Sequence, residues 1–154
     1  MRTLTLSTTN QQRRIRLLAI VGGVLVAEVL WAVAEFVFGL HLQAPASNDY
    51  APMDLGPVFV GVTAAVLALV GWAVLAILER VTSHARVVWL LLAPFALLAS
   101  LVMPLSGTGV SDANRAVLVL MHIGVAAALI PAFYRTLPRR TRPPSRPGMS
   151  ARQE

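Results

Sequence analysis

Residues 15–38 read IRLLAIVGGVLVAEVLWAVAEFVF, and this one segment sets the structural class of the chain. A helix needs about 20 mostly apolar residues to cross a hydrocarbon core about 30 Å thick, so the segment is long enough. Lipid offers backbone N–H and C=O groups no hydrogen-bond partners, so an apolar run inside a membrane has to be helical. The segment therefore predicts a first transmembrane helix.

Three further segments have the same apolar character and predict three more spans. They cover about residues 57–78, 87–105 and 116–134. Pro57 suits the first turn of the second span, and Ser111 or Asp112 is expected to cap the fourth. We therefore expect an all-α protein, a four-transmembrane-helix bundle within residues 15–137, with a segment 1–14 before it and a tail 138–154 after it.

The composition excludes an ordinary soluble domain. Hydrophobic residues make up 56% of the chain and charged residues 13%, whereas soluble domains have roughly 45–50% and about 25%. The net charge of +6 and the isoelectric point of about 11.5 are also typical of nucleic-acid binders. Here, however, the arginines flank the apolar segments, so we expect no nucleic-acid partner. With no cysteine, the chain has no disulfide and no thiolate chemistry.

The distribution of arginine predicts the orientation of the spans. Twelve of the thirteen basic residues lie before or at the start of the first span, connect the second to the third or follow the fourth, and Arg115 alone lies on the other side. The positive-inside rule then places both termini and the connection 79–86 in the cytoplasm, and the protein in the plasma membrane as a multi-pass protein. A cleaved signal peptide is the alternative for the first segment, but Glu28 interrupts its apolar core.

The segments outside the spans are short or polar. The connection 39–56, which contains Pro45 and Pro52, is expected outside the cell as a turn-rich loop. The tail has little to bury and is expected to be disordered. Its arginines are expected to attract anionic lipid in the bilayer.

Three ionisable residues lie inside the predicted spans: Glu28 and Glu35 in the first, and His122 in the fourth. A charge at mid-bilayer costs about 2.5–3.5 kcal/mol even on lenient scales, so each should face protein or water. Glu28 and Glu35 are two helical turns apart and share a face with Trp31. We expect this face to turn inward.

Depth along the helices suggests a partner for Glu28. With a rise of about 1.5 Å per residue, Glu28 and His122 lie at nearly the same depth, so a carboxylate–imidazole pair is expected if the first and fourth spans touch. One interpretation is a hydrogen-bonded clamp between helices, and another is a proton-titrating site in a transporter. A third has Glu35 reaching the outer interface and His122 bonding a backbone carbonyl.

Small residues predict where helices approach closely, since they let backbones come together. They are Gly61, Ala65, Ala68 and Gly71 in the second span, and Gly124 and Ala128 in the fourth. Pro94 lies inside the third span and predicts a kink there. The spacing of histidines and carboxylates indicates no metal site.

Three short motifs resemble a family of small four-span actinobacterial membrane proteins, a domain of unknown function. The motifs are residues 76–82 (AILERVT), 85–89 (ARVVW) and 118–122 (LVLMH), and the similarity covers roughly residues 16–135. The resemblance implies the four-span architecture and no particular activity. Glu28 with Trp31 also resembles the membrane-embedded glutamate and nearby aromatic residues of the small multidrug-resistance transporters. This chain departs from those transporters in its greater length, its outer connection of about 18 residues, and Glu35 and His122; the comparison is one of architecture.

These patterns lead to a functional expectation. The chain lacks a Ser/His/Asp set, an HExxH motif and a phosphate-binding loop, so we expect no enzyme, no catalytic residues and no cofactor. The main hypothesis is an accessory or scaffold protein with a buried polar cluster between the first and fourth spans, acting with a second copy of itself or another membrane protein. The alternative is a proton-coupled small-molecule transporter in which Glu28 titrates.

Overall fold

The computed structural model describes residues 2–46 and 51–137, with side chains described from residue 10 onward. Its elements are helix α1 (Arg2–Ala32), a π-helical turn (Val33–Val37), strands β1 (Gln43–Ala44) and β2 (Met53–Asp54), and helices α2 (Pro57–Val81), α3 (Ala85–Ser100), α4 (Val102–Ser106) and α5 (Asp112–Thr136). Within this part of the chain four helical segments are long and apolar enough to cross a membrane: Asn10–Val37, Pro57–Val81, Ala85–Ser106 and Asp112–Thr136. The predicted all-α, four-span architecture is confirmed.

The four helices form a ring in which α1 packs most extensively against α5 and α2, while α3 contacts α2 and α5. We call the end of the bundle formed by residues 10–16, 79–86 and 134–137 the terminal face, and the opposite end, formed by residues 33–46, 53–57 and 106–114, the loop face. One apolar cluster, around Leu75 and Phe133, lies toward the terminal face. A second, around Ala27 and Met121, lies toward the loop face.

Small residues do lie where the helices meet. Ala68 is buried in the core, and a Cβ added to Gly71 would lie 3.6 Å from the Phe133 ring on α5. At Gly124 an added Cβ would lie 2.8 Å from Val26 Cγ1 on α1. A bulkier residue at Gly124 would therefore push α1 and α5 apart. Ala65 and Ala128 are half-buried.

Helix boundaries follow local chemistry. Pro57 occupies the first turn of α2, and the Ser111 side chain accepts a hydrogen bond from the backbone N–H of Asn114 at the start of α5. The third span, expected as one helix, is interrupted at Leu101 and resumes as α4. The reason is Pro104, which has no N–H to donate to the carbonyl four residues earlier. Pro94 lies inside α3, and the kink expected there stays a prediction.

The first connection is more ordered than its turn-rich sequence suggests. Strands β1 and β2 pair antiparallel, with Gln43 opposite Asp54. Ala46 exchanges backbone hydrogen bonds with Thr108, at 2.8 and 3.2 Å, so the hairpin is tied to the second connection. Gly109 adopts a positive φ of 82°, which explains the glycine there. The residues 47–50 and the tail 138–154 lie outside the described part of the chain.

Candidate functional site

The most extensive polar contact of the bundle is centred on Arg16 at the terminal face. Its guanidinium donates two hydrogen bonds to the Glu79 carboxylate, at 2.6 and 3.1 Å, and its Nε–H donates to Thr136 Oγ1 at 2.9 Å. Arg16 is only 6% exposed. The contact joins α1, α2 and α5, and we call these three residues the terminal clamp. A bidentate arginine–carboxylate pair fixes orientation as well as adding energy.

A second arginine holds α3 to the end of α5. Arg86 donates from Nε and from a terminal nitrogen to the carbonyl of Leu137, at 3.2 and 2.9 Å. Its guanidinium carbon lies 4.9 Å from the centre of the Tyr134 ring, a cation–π distance. One helical turn on, the Trp89 indole N–H donates to the Ile130 carbonyl at 3.3 Å. Arg86 therefore secures the C-terminal end of α5 against α3.

Glu28 lies against α2, where Gly61 makes room for it. A Cβ added to Gly61 would overlap Glu28 Oε1 and would lie 3.9 Å from Val24 Cγ1. The half-buried Glu28 makes no hydrogen bond or ion pair with any residue that the structure describes. It is thus a carboxylate placed in a span beside a glycine backbone.

The structure does not bring Glu28 and His122 together. His122 Nδ1 is 2.7 Å from the carbonyl oxygen of Leu118, one turn earlier in α5. The side of α1 that meets α5 carries Val26 and Leu30, which are each two residues from Glu28 and so lie roughly 160° around the helix from it. The expected polar cluster between the first and fourth spans is therefore replaced by a polar face of α1 that meets α2.

Trp31 and Glu35 continue that polar face to the loop face. The Trp31 indole N–H donates to the Leu55 carbonyl at 2.7 Å, just before α2 begins. Glu35 Oε1 lies 2.6 Å from His41 Nδ1. Glu35 belongs to the π-helical turn, which closes with a bond from the Phe38 N–H to the Val33 carbonyl at 3.2 Å. Single π turns often occur at functional sites, and this one directs Glu35 to the hairpin.

Asn114 anchors the hairpin on α5. Its side chain accepts a hydrogen bond from the Gln43 N–H and donates one to the Gln43 carbonyl, both at 2.8 Å. The Gln43 side chain in turn donates to Asp54 at 2.8 Å. Beneath the hairpin is an open cavity of about 510 Å³, lined by Trp31, Glu35, His41, Leu42, Gln43, Asp54, Leu55 and Gly56. We call it the loop-face cavity.

The polar side chains of the terminal face and the loop face serve mainly to hold the fold together. Among the described residues there is no group of three histidine or carboxylate side chains placed to hold a metal ion. In the same part of the chain every fully buried side-chain nitrogen and oxygen has a hydrogen-bond partner. The polar side chains described above thus mostly fasten elements to one another; Glu28, which has no partner among the described residues, and His122, which bonds within its own helix, do not.

Sequence reasoning missed the terminal clamp and the role of Asn114. Arg16 and Arg86 were interpreted as topology signals, and Glu79 as the end of a span. One signal was present: Arg16 and Glu79 are opposite charges assigned to the same side of the membrane, at similar depth. For Asn114 no comparable signal exists, because its partner is the backbone of a distant loop.

Comparison of the chain with known proteins gives a family and no activity. Neither the curated proteins nor the solved structures contain a match to it. A family model described as a family of unknown function matches residues 7–139. The match extends the range of about residues 16–135 over which the motifs indicated a resemblance, and it includes all four spans. The chain belongs to this family of unknown function, DUF6069.

Proposed function

We propose that this protein is a non-enzymatic accessory or scaffold protein of the plasma membrane, acting through contact with another membrane protein or with a second copy of itself. One observation carries the proposal: the polar side chains of the bundle are used to hold it together. The terminal clamp joins three helices, and Asn114 fixes the hairpin to α5. Such a bundle is held together by its own polar contacts and presents apolar helix surfaces to its surroundings.

Helix α3 has an apolar surface that is open to a partner. Its buried residues are Ala85, Trp89 and Ala93, on one side of the helix. Leu91 and Phe95 are 71% and 66% exposed on other sides. In a membrane such residues contact lipid or the apolar face of another protein, and the shortage of polar groups on α3 fits either.

The proposal includes an orientation, with both termini in the cytoplasm and the hairpin outside. It is supported by the arginine distribution and by the terminal face, which carries Arg13, Arg14 and Arg80 as exposed residues. Reporter fusions at Asp49 and after Glu154 test it. We expect a periplasmic or external signal only from the fusion at Asp49, and a signal from outside the cell at the C-terminus contradicts the orientation.

A second candidate is a proton-coupled small-molecule transporter, and the position of Glu28 favours it. The Glu28 carboxylate makes no hydrogen bond or ion pair with the described residues, so it is available to contact a substrate or water. Intramembrane ionisable residues of this kind often lie on substrate or proton pathways. The adjacent Gly61 leaves room beside the carboxylate.

The two candidates differ in what Glu28→Gln does. For an accessory protein, photo-crosslinking from Leu91 in intact cells should capture one partner in near-stoichiometric amount, and Glu28→Gln should capture the same partner equally well. Crosslinking from Val29, an exposed residue of α1, is the matched position on another surface. If no position yields a defined partner, and Glu28→Gln abolishes proton flux in reconstituted vesicles, the transporter hypothesis replaces the scaffold hypothesis.

A further inference from the structure

A groove runs along the outside of the bundle between α1 and α2 at the terminal face. It has a volume of about 410 Å³ and is lined by Gln12, Arg13, Arg16, Leu69, Trp72, Ala73, Ala76 and Glu79. We call it the terminal groove. Its α2 residues recur every three or four positions from Leu69 to Glu79, so they form one stripe about 15 Å long.

The groove is polar at one end and apolar along the rest. Arg16 and Glu79 form an ion pair at 2.6 Å, so together they add little net charge. Arg13 lines the same end, is exposed and makes no hydrogen bond or ion pair with a described residue. The net charge of the polar end is therefore positive, and it comes from Arg13, whose N–H groups have no partner among the described residues.

The apolar part lies within the span. Leu69 and Ala73 are exposed on α2, and both belong to a segment apolar enough to cross a membrane. The small side chains of Ala73 and Ala76 create the depression, and the half-buried Trp72 lies beside them. A hydrocarbon chain fills such a depression without leaving polar groups unpaired.

We propose that the terminal groove binds a phospholipid with an anionic headgroup, with the phosphate at Arg13 and the first part of an acyl chain along Leu69, Ala73 and Ala76. Charge complementarity selects this occupant: the polar end offers one uncommitted cation, and the apolar end continues into the membrane. A planar guanidinium binds phosphate oxygens through two parallel hydrogen bonds. Gln12 at the same end supplies a further amide donor.

Neighbouring residues provide a strict control. Arg14 is exposed like Arg13 but does not line the groove. Arg13→Gln and Arg14→Gln therefore remove the same charge from the same helix, and only the first removes it from the groove. Neither changes a described contact of the bundle, so both variants are expected to fold.

The test measures binding of phosphatidylglycerol and phosphatidylcholine with the same acyl chains to the full chain in mild detergent, by native mass spectrometry at constant ionic strength. We expect the wild type to prefer the first phosphatidylglycerol molecule. Arg13→Gln should weaken that binding about fivefold, the equivalent of about 1 kcal/mol for one interfacial arginine. Arg14→Gln should change it less than about twofold, since a charge outside the groove is screened.

A second pair of variants tests the apolar part. Ala73→Leu fills the groove, and Ala96→Leu makes the same change at an exposed position of α3. We expect Ala73→Leu to weaken binding of both lipids and Ala96→Leu to leave it unchanged. Equal losses for Arg13→Gln and Arg14→Gln indicate diffuse attraction to anionic lipid and overturn the proposal, as does equal binding of the two lipids or an unaltered affinity in Ala73→Leu.

Discussion

Within the terminal clamp, removing one member of the Arg16–Glu79 ion pair should destabilise the bundle far more than removing both members. In Glu79→Leu the guanidinium of Arg16 stays in a site where it is 6% exposed and loses both hydrogen bonds to the carboxylate. It keeps only the contact to Thr136. In the double variant Arg16→Met with Glu79→Leu no charge is left behind, and the new side chains are apolar.

The expected loss of unfolding free energy follows from how deeply Arg16 and Glu79 are buried. Breaking a buried ion pair by removing one partner costs about 3–5 kcal/mol, since the remaining charge is desolvated and unpaired. Glu79 is 22% exposed on its side chain, so water partly rehydrates the site. We therefore expect the lower end of the range, about 3 kcal/mol, for Glu79→Leu. The double variant should lie within about 1 kcal/mol of the wild type, because apolar replacements of a buried pair are often neutral.

The assay is reversible unfolding in mixed micelles, followed by tryptophan fluorescence, for the wild type, both single variants and the double variant. The coupling free energy between Arg16 and Glu79 should be about 2 kcal/mol or more. Arg80→Met removes an adjacent but exposed charge and should change the unfolding free energy by less than about 0.5 kcal/mol. Additive effects of the two single substitutions would refute the clamp as an energetic unit.

Two further predictions concern packing and the chain end. Gly124→Ala should destabilise the bundle by about 1–3 kcal/mol through overpacking, because its Cβ would lie 2.8 Å from Cγ1 of the stiff Val26 side chain, while Gly22→Ala, with open space around it, should be neutral or stabilising; equal melting temperatures for the two variants would contradict the close approach of α1 and α5 at Gly124. Truncation after Leu137 should leave a monodisperse protein in detergent, whereas truncation after Arg135 removes hydrogen-bond partners of Arg16 and Arg86 and should lower the melting temperature; if the shorter chain is as stable as the longer, those contacts do not hold the terminal face together.

The four spans were predictable because lipid imposes a local rule. A segment long and apolar enough to cross the membrane must be a helix, whatever it packs against. Pro57 and Ser111 mark helix starts for reasons equally local to the backbone. The break at Leu101 follows from Pro104, three residues later, and not from Pro94, at which a kink was expected. The hairpin depends on pairing between residues nine and eleven positions apart, which turn-forming residues alone do not specify.

The amino-acid sequence determined which segments are long and apolar enough to cross a membrane, because span length depends on one helix at a time. Only the tertiary structure decided which neighbouring helix each face of a helix contacts. Glu28 faces Gly61 on α2 and lies away from α5, because α1 contacts these two helices through nearly opposite faces, roughly 160° apart. His122 bonds within its own helix. It also decided that Arg16 turns into the bundle, because the carboxylate that makes this favourable comes from a residue 63 positions away in the chain.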